Sequence, residues 1–114
     1  MTPPAVALSP DQKAIVQAIL TEHLPPTSQV WVFGSRATGK NRPYSDLDLA
    51  VKAPQRLPLP LCATLASAFE ESLLPFTVDV VDMNTVKDPL KTHIYDHGIP
   101  WVGLWGAISP GRSR

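Results

Sequence analysis

Gln29-Val30-Trp31-Val32-Phe33-Gly34-Ser35, with Ser45-Asp46-Leu47-Asp48-Leu49-Ala50-Val51 ten residues on, decides how this chain reads. The first run is rich in β-branched and aromatic residues and predicts a short strand over Gln29–Phe33. That strand delivers the backbone straight into Gly34-Ser35. Gly34 allows a tight turn and close approach to a ligand, and Ser35 adds a hydroxyl and a backbone N–H. The second run predicts a strand over 46–51. Residues two apart in a strand share a face, so Asp46 and Asp48 point one way and Leu47, Leu49 and Val51 the other. Paired carboxylates beside a phosphate-sized loop are what Mg²⁺ and a nucleoside triphosphate require.

Working outward, Ser9-Pro10-Asp11-Gln12 starts a helix: Ser9 is the N-cap, Pro10 the first helical position, and Gln12 completes a capping box. The apolar spacing of Ile15, Ala18 and Ile19 carries this helix to about His23, where Pro25-Pro26 ends it. Residues 36–44 read as loop, with room for one helical turn after Ser35. Residues 53–60 hold three prolines and read as a linker. A second helix is expected over 61–74, stopped by Pro75, and a third strand over 77–81, closed by Asp82. A third helix runs from Asp88-Pro89 to about His97, capped by Gly98. A last short strand is expected within 99–104. The order predicts an α/β (α+β) domain on a small mixed sheet flanked by helices. We expect residues 1–105 to form that domain and residues 106–114 to be a flexible tail.

Composition narrows the function. The 114 residues suit one domain, and 10 basic residues balance 10 acidic ones. Zero net charge argues against a generic nucleic-acid binder. Cys62 is the only cysteine, so no intramolecular disulfide forms, and a reduced cytoplasmic setting is favoured. The N-terminus lacks the pattern of a signal peptide, and no apolar stretch is long enough to span a bilayer.

Asp79 sits mid-strand between Val78 and Val80, where a charge is costly without a partner or metal. Strand parity separates it from Asp82. If Val78 and Val80 pack against helices, Asp79 faces the other side, with Asp46 and Asp48, and Asp82 becomes a structural residue at the strand end. Three acids on neighbouring strands can hold two divalent ions about 3.5–4 Å apart. Asp79 is placed to orient, or to deprotonate, an attacking hydroxyl. Arg36 and Lys40 are candidates for phosphate contact, Arg suiting bidentate contacts, against the plain alternative of solvation. Arg42 is a weaker candidate. Tyr44 reads as a loop anchor, with contact to a nucleotide as the alternative. Trp31 reads as core, as does one of Trp101 and Trp105. His93 and His97 stand i, i+4, but no Glu or Cys completes a zinc site.

Gly34-Ser35, Gly39, the 45–51 run and Val78-Asp79-Val80-Val81-Asp82 together resemble the signature of the DNA polymerase β-like nucleotidyltransferases. The short length resembles the minimal nucleotidyltransferases of that superfamily. The resemblance covers about Val30 to Asp82 well and the flanking helices loosely. It implies the polymerase β-like nucleotidyltransferase fold, triphosphate binding by Gly34 and Ser35, and Mg²⁺ binding, two ions, by Asp46, Asp48 and Asp79. It further implies transfer of NMP, AMP from ATP being the first choice, to a hydroxyl. Minimal members lack an acceptor-holding domain and commonly pair with a small helical HEPN-type or substrate-binding-type protein. In several pairs the nucleotidyltransferase is an antitoxin that transfers AMP to a tyrosine of the toxin. Two rival readings stand beside this one: a binding module that neutralises its partner without catalysis, and transfer to a small molecule.

Overall fold

A computed structural model describes residues 6–104, and its elements follow the order expected. Helix α1 spans Pro10–His23, strand β1 Gln29–Phe33, and the single turn α2 Ser35–Thr38. Strand β2 spans Leu47–Lys52, α3 Leu59–Glu70, β3 Val78–Asp82, α4 Leu90–His97 and β4 Ile99–Pro100. The sheet order is β3-β2-β1-β4, with β2 antiparallel to β1, β1 antiparallel to β4, and β2 parallel to β3. This is the small mixed sheet that the alternation of strands and helices implied.

Pleating sorts the side chains. Val30, Val32, Leu47, Leu49 and Val51 are buried on one face, in a core with Val16 and Leu20 of α1 and Leu65 and Phe69 of α3. The opposite face carries a smaller core of Ala50, Met83 and Ile94, against which Trp31 and Phe33 pack. Trp31 meets Tyr95 of α4 edge to face, with ring centroids 5.4 Å apart. Trp101 is buried in the larger core, and its Nε1 donates to Oε1 of Gln17 at 3.0 Å. The α1 capping box forms as read, Gln12 N donating to Ser9 Oγ at 3.1 Å and Ser9 N to Gln12 Oε1 at 3.0 Å.

Several boundaries move. Strand β2 begins at Leu47, so Asp46 precedes it. Helix α3 begins at Leu59, because Pro58 as N-cap and Pro60 in the first turn need no intrahelical N–H partner. Part of the supposed linker is therefore helix. It ends at Glu70 rather than Leu74, where the Ser72 hydroxyl donates to the Phe69 carbonyl at 2.6 Å and competes with the helical pattern. Strand β4 is only two residues long: Pro100 has no N–H to extend the ladder, and Gly103 (φ 79°) turns the chain away. Trp105 and the tail 106–114 lie outside the described residues.

Candidate active site

The site forms where β1 ends and β2 begins. β1 pairs Phe33 with Asp48, and β2 pairs Asp48 with Asp79. Partners in register share a sheet face, so Asp48 and Asp79 stand side by side on the face away from the α1–α3 core. Val78 and Val80 pack on that core, which is the parity condition that separates Asp79 from Asp82. Asp46, just before β2, adds the third carboxylate.

Gly34 follows β1 with φ 77°, in the region that disfavours side chains. It also lies directly over Asp48: a Cβ at Gly34 would collide with Asp48 Oδ2. Position 34 therefore has to be glycine twice over. Gly34 leads into α2, whose first turn closes through Ala37 N and Thr38 N donating to the Gly34 carbonyl at 3.0 and 3.2 Å. Ser35 is the first residue of that turn.

The three acids carry uncompensated charge. Asp48 is half-buried, while Asp46 and Asp79 are exposed. The Asp48 carboxyl is pushed above the usual carboxylate range, first by desolvation and then by the charges of Asp79 and Asp46. Among the described residues no lysine or arginine pairs with any of the three. Nor do three His, Cys, Asp or Glu side chains there gather tightly enough to enclose an ion. Asp48 and Asp79 side by side, with Asp46 close enough to act on Asp48, are a set of hard oxygen donors of the kind Mg²⁺ takes, water and substrate phosphates completing its shell. Asp46, Asp48 and Asp79 are the residues that would hold it.

Asp79 escapes the desolvation cost expected of a mid-strand charge because β3 is the sheet edge, open to water. Asp82 has a different task. Its Oδ2 accepts from Leu57 N at 2.8 Å and its Oδ1 from Asn84 N at 2.9 Å, so it ties the segment before α3 to the end of β3.

Arg36 needs correction. It is 3% exposed, and its guanidinium donates to the carbonyls of Ala7 (2.7 Å), Ser45 (3.0 Å) and Pro43 (3.1 Å) while lying 4.1 Å over the Phe76 ring. A guanidinium so engaged has its donors committed to backbone carbonyls and braces the loop. Burial lowers its pKa. Ser45 completes the brace, its hydroxyl accepting from Arg42 N at 2.7 Å. Lys40 is exposed at the C-terminal end of α2, the end opposite Ser35. Tyr44, read as an anchor, is 74% exposed. His93 and His97 are exposed, with ring centroids 4.9 Å apart.

Residues 15–102 match the family model for "Polymerase beta, Nucleotidyltransferase". The chain is 42% identical over 81 residues to a probable protein adenylyltransferase MntA of Haemophilus influenzae, covering 71% of this chain and 70% of that protein. Among solved structures, a toxin-antitoxin complex with AMP-PNP superposes with a TM-score of 0.68 at 28% identity, over 82% of this chain and 73% of the other. A complex of tri-AMPylated Shewanella oneidensis HEPN toxin with its MNT antitoxin superposes with a TM-score of 0.53 at 26% identity, over 82% and 72%.

Proposed function

Since the chain belongs to the polymerase β nucleotidyltransferase family, we propose that it transfers AMP from ATP to a tyrosine hydroxyl of a helical HEPN-type partner and so acts as an antitoxin. What supports this reading is the adjacency of Gly34, Asp48 and Asp79 on one sheet face, together with the likeness to a probable protein adenylyltransferase and to an antitoxin bound to its AMPylated toxin. Gly34 and Ser35 offer N–H and hydroxyl donors to the β- and γ-phosphates. Lys40, exposed in the loop after α2, is the cation assigned to them. Asp46, Asp48 and Asp79 would hold Mg²⁺, which would supply neutralisation of phosphate charge and activation of the attacking hydroxyl. Asp79, at the open edge, orients that hydroxyl. ATP as donor and a lone unpaired thiol both suit the cytoplasm. Among the described residues no helix is long and apolar enough to cross a membrane.

The test uses ATP labelled at the α-phosphate, Mg²⁺ and the helical protein encoded beside this one. Label should appear on a tyrosine of the partner and vanish with Asp48→Asn or Asp46→Asn. An unlabelled partner, or an Asp46→Asn protein as active as wild type, would sink the proposal.

A further inference from the structure

Helix α4 carries two histidines that the loop and the three acids leave unused. His93 and His97 stand one turn apart, so their side chains lie on the same face of the helix. Both are exposed, and their ring centroids are 4.9 Å apart at a tilt of 44°. Among the described residues neither ring has a hydrogen-bond or ion-pair partner; each imidazole has the other as its ring contact. The third histidine differs, since His23 Nδ1 donates to the Ile19 carbonyl at 2.8 Å. The helix beneath the pair is held in place. Ile94 is fully buried with Ala50 and Met83, Tyr95 meets the Trp31 ring, and Gly98 N donates to the Ile94 carbonyl at 2.7 Å.

We propose that His93 and His97 chelate a divalent transition metal of the Zn²⁺, Ni²⁺ and Cu²⁺ class, at a site separate from the aspartates, and that the bound ion ties down the last turn of α4. Ring spacing carries the proposal. An ion shared by two imidazoles lies about 2.0–2.1 Å from each nitrogen, and a nitrogen stands about 1.15 Å from its ring centre; ligand angles of about 90–110° then set the centres about 4.5–5.3 Å apart. The observed 4.9 Å falls inside that range, so chelation needs no movement of the helix. Imidazole nitrogen selects this class of metal, whereas Mg²⁺ prefers the oxygen donors of Asp46, Asp48 and Asp79. The two sites therefore divide the ions by chemistry. No third His, Cys, Asp or Glu among the described residues joins the pair, so water fills the remaining positions and the ion exchanges freely. An eight-residue helix is marginal on its own, and a clip across its final turn opposes fraying. The site does not depend on the transfer reading.

The test titrates ZnCl₂ into the untagged chain in the presence of excess Mg²⁺, which competes for the aspartates. His93→Gln and His97→Gln remove one ligand each from exposed positions and keep a good helix former; His23→Gln is the control. Wild type and His23→Gln should bind one Zn²⁺ at micromolar concentration, and each α4 variant should bind at least tenfold more weakly, as even the loss of a ligand's supporting partner costs about 10–100-fold. Zn²⁺ should raise the Tm of wild type and slow amide exchange at 94–98, and do neither in His97→Gln. Substoichiometric Ni²⁺, which is paramagnetic, should broaden the amide signals of 92–98 in the isotope-labelled protein and spare those of 46–49 and 79. Equal affinity in the wild type and both α4 variants, or broadening centred on Asp48 and Asp79, His23 or Cys62, would overturn the assignment. So would the lack of any binding below millimolar Zn²⁺, which would leave the two rings as an aromatic contact alone.

Discussion

Gly34 and Asp48 constrain each other. The carboxylate occupies the space that any side chain at position 34 would need, and the backbone there adopts a positive φ. Gly34→Ala therefore meets two penalties: about 1–3 kcal/mol for a backbone conformation (φ 77°, ψ −154°) that essentially only glycine adopts, and displacement of Asp48 from the site. Thermal unfolding should show a lower Tm, and transfer activity should be lost. Asp48 itself stores the opposite trade. Its folded-state pKa is raised by desolvation and by Asp79 and Asp46, so between its unfolded and folded pKa values the native state binds more protons than the unfolded one. Stability from this group is thus fully present below the unfolded value, declines as pH rises through that window, and stays reduced above it. Asp48→Asn, which carries no charge, should raise the Tm at neutral pH while abolishing transfer, and the gain should shrink as the pH is lowered. A Tm at or below wild type at neutral pH would contradict this account.

At the scale of the element, β3 carries two aspartates with separate duties. Asp79 is exposed on the face that carries Asp48, and Asp82 binds two backbone N–H groups. Asp79→Asn should leave urea unfolding near wild type and remove activity. Asp82→Ala should retain activity per folded molecule and lose about 1–3 kcal/mol, the cost of stranding the part-buried Leu57 N–H. Alternation offered this split on the condition that Val78 and Val80 face the helices, as they do. The rest of the strand's environment was not. That β3 is an edge depends on which strands pair, a long-range fact with no local marker, and so the solvation of Asp79 was misjudged from its apolar neighbours. The start of α3 was hidden for a similar reason. Three prolines read as a linker until Pro58 and Pro60 are placed in a helix's first turn, where a missing N–H costs nothing. The turn at Gly34 and the shared face of Asp48 and Asp79 were readable because turn chemistry and a two-residue period are local, whereas the exposure of Tyr44 depends on what surrounds it.

Over the whole molecule, Arg36 joins parts that the sequence keeps far apart. From the turn after β1 it reaches Ala7 ahead of α1, Pro43 and Ser45 before the acids, and Phe76 before β3. No local pattern announces a partner 29 residues upstream, which is why an arginine beside a phosphate loop read as a phosphate ligand. The sheet positions Asp48 and Asp79, but the loop that presents Asp46 is held by this one side chain. Lysine keeps the charge and lacks the planar fork, so Arg36→Lys can satisfy at most some of the three carbonyls and loses the stacked guanidinium. The expected cost is about 2–4 kcal/mol, given about 1–3 kcal/mol for each buried polar group left without a partner, read as a lower urea midpoint with an unchanged m value. A phosphate ligand would behave in the reverse manner, with ATP affinity falling and the midpoint fixed. If Arg36→Lys weakens ATP binding tenfold in a protein as stable as wild type, the bracing role is wrong and the arginine belongs to the nucleotide after all.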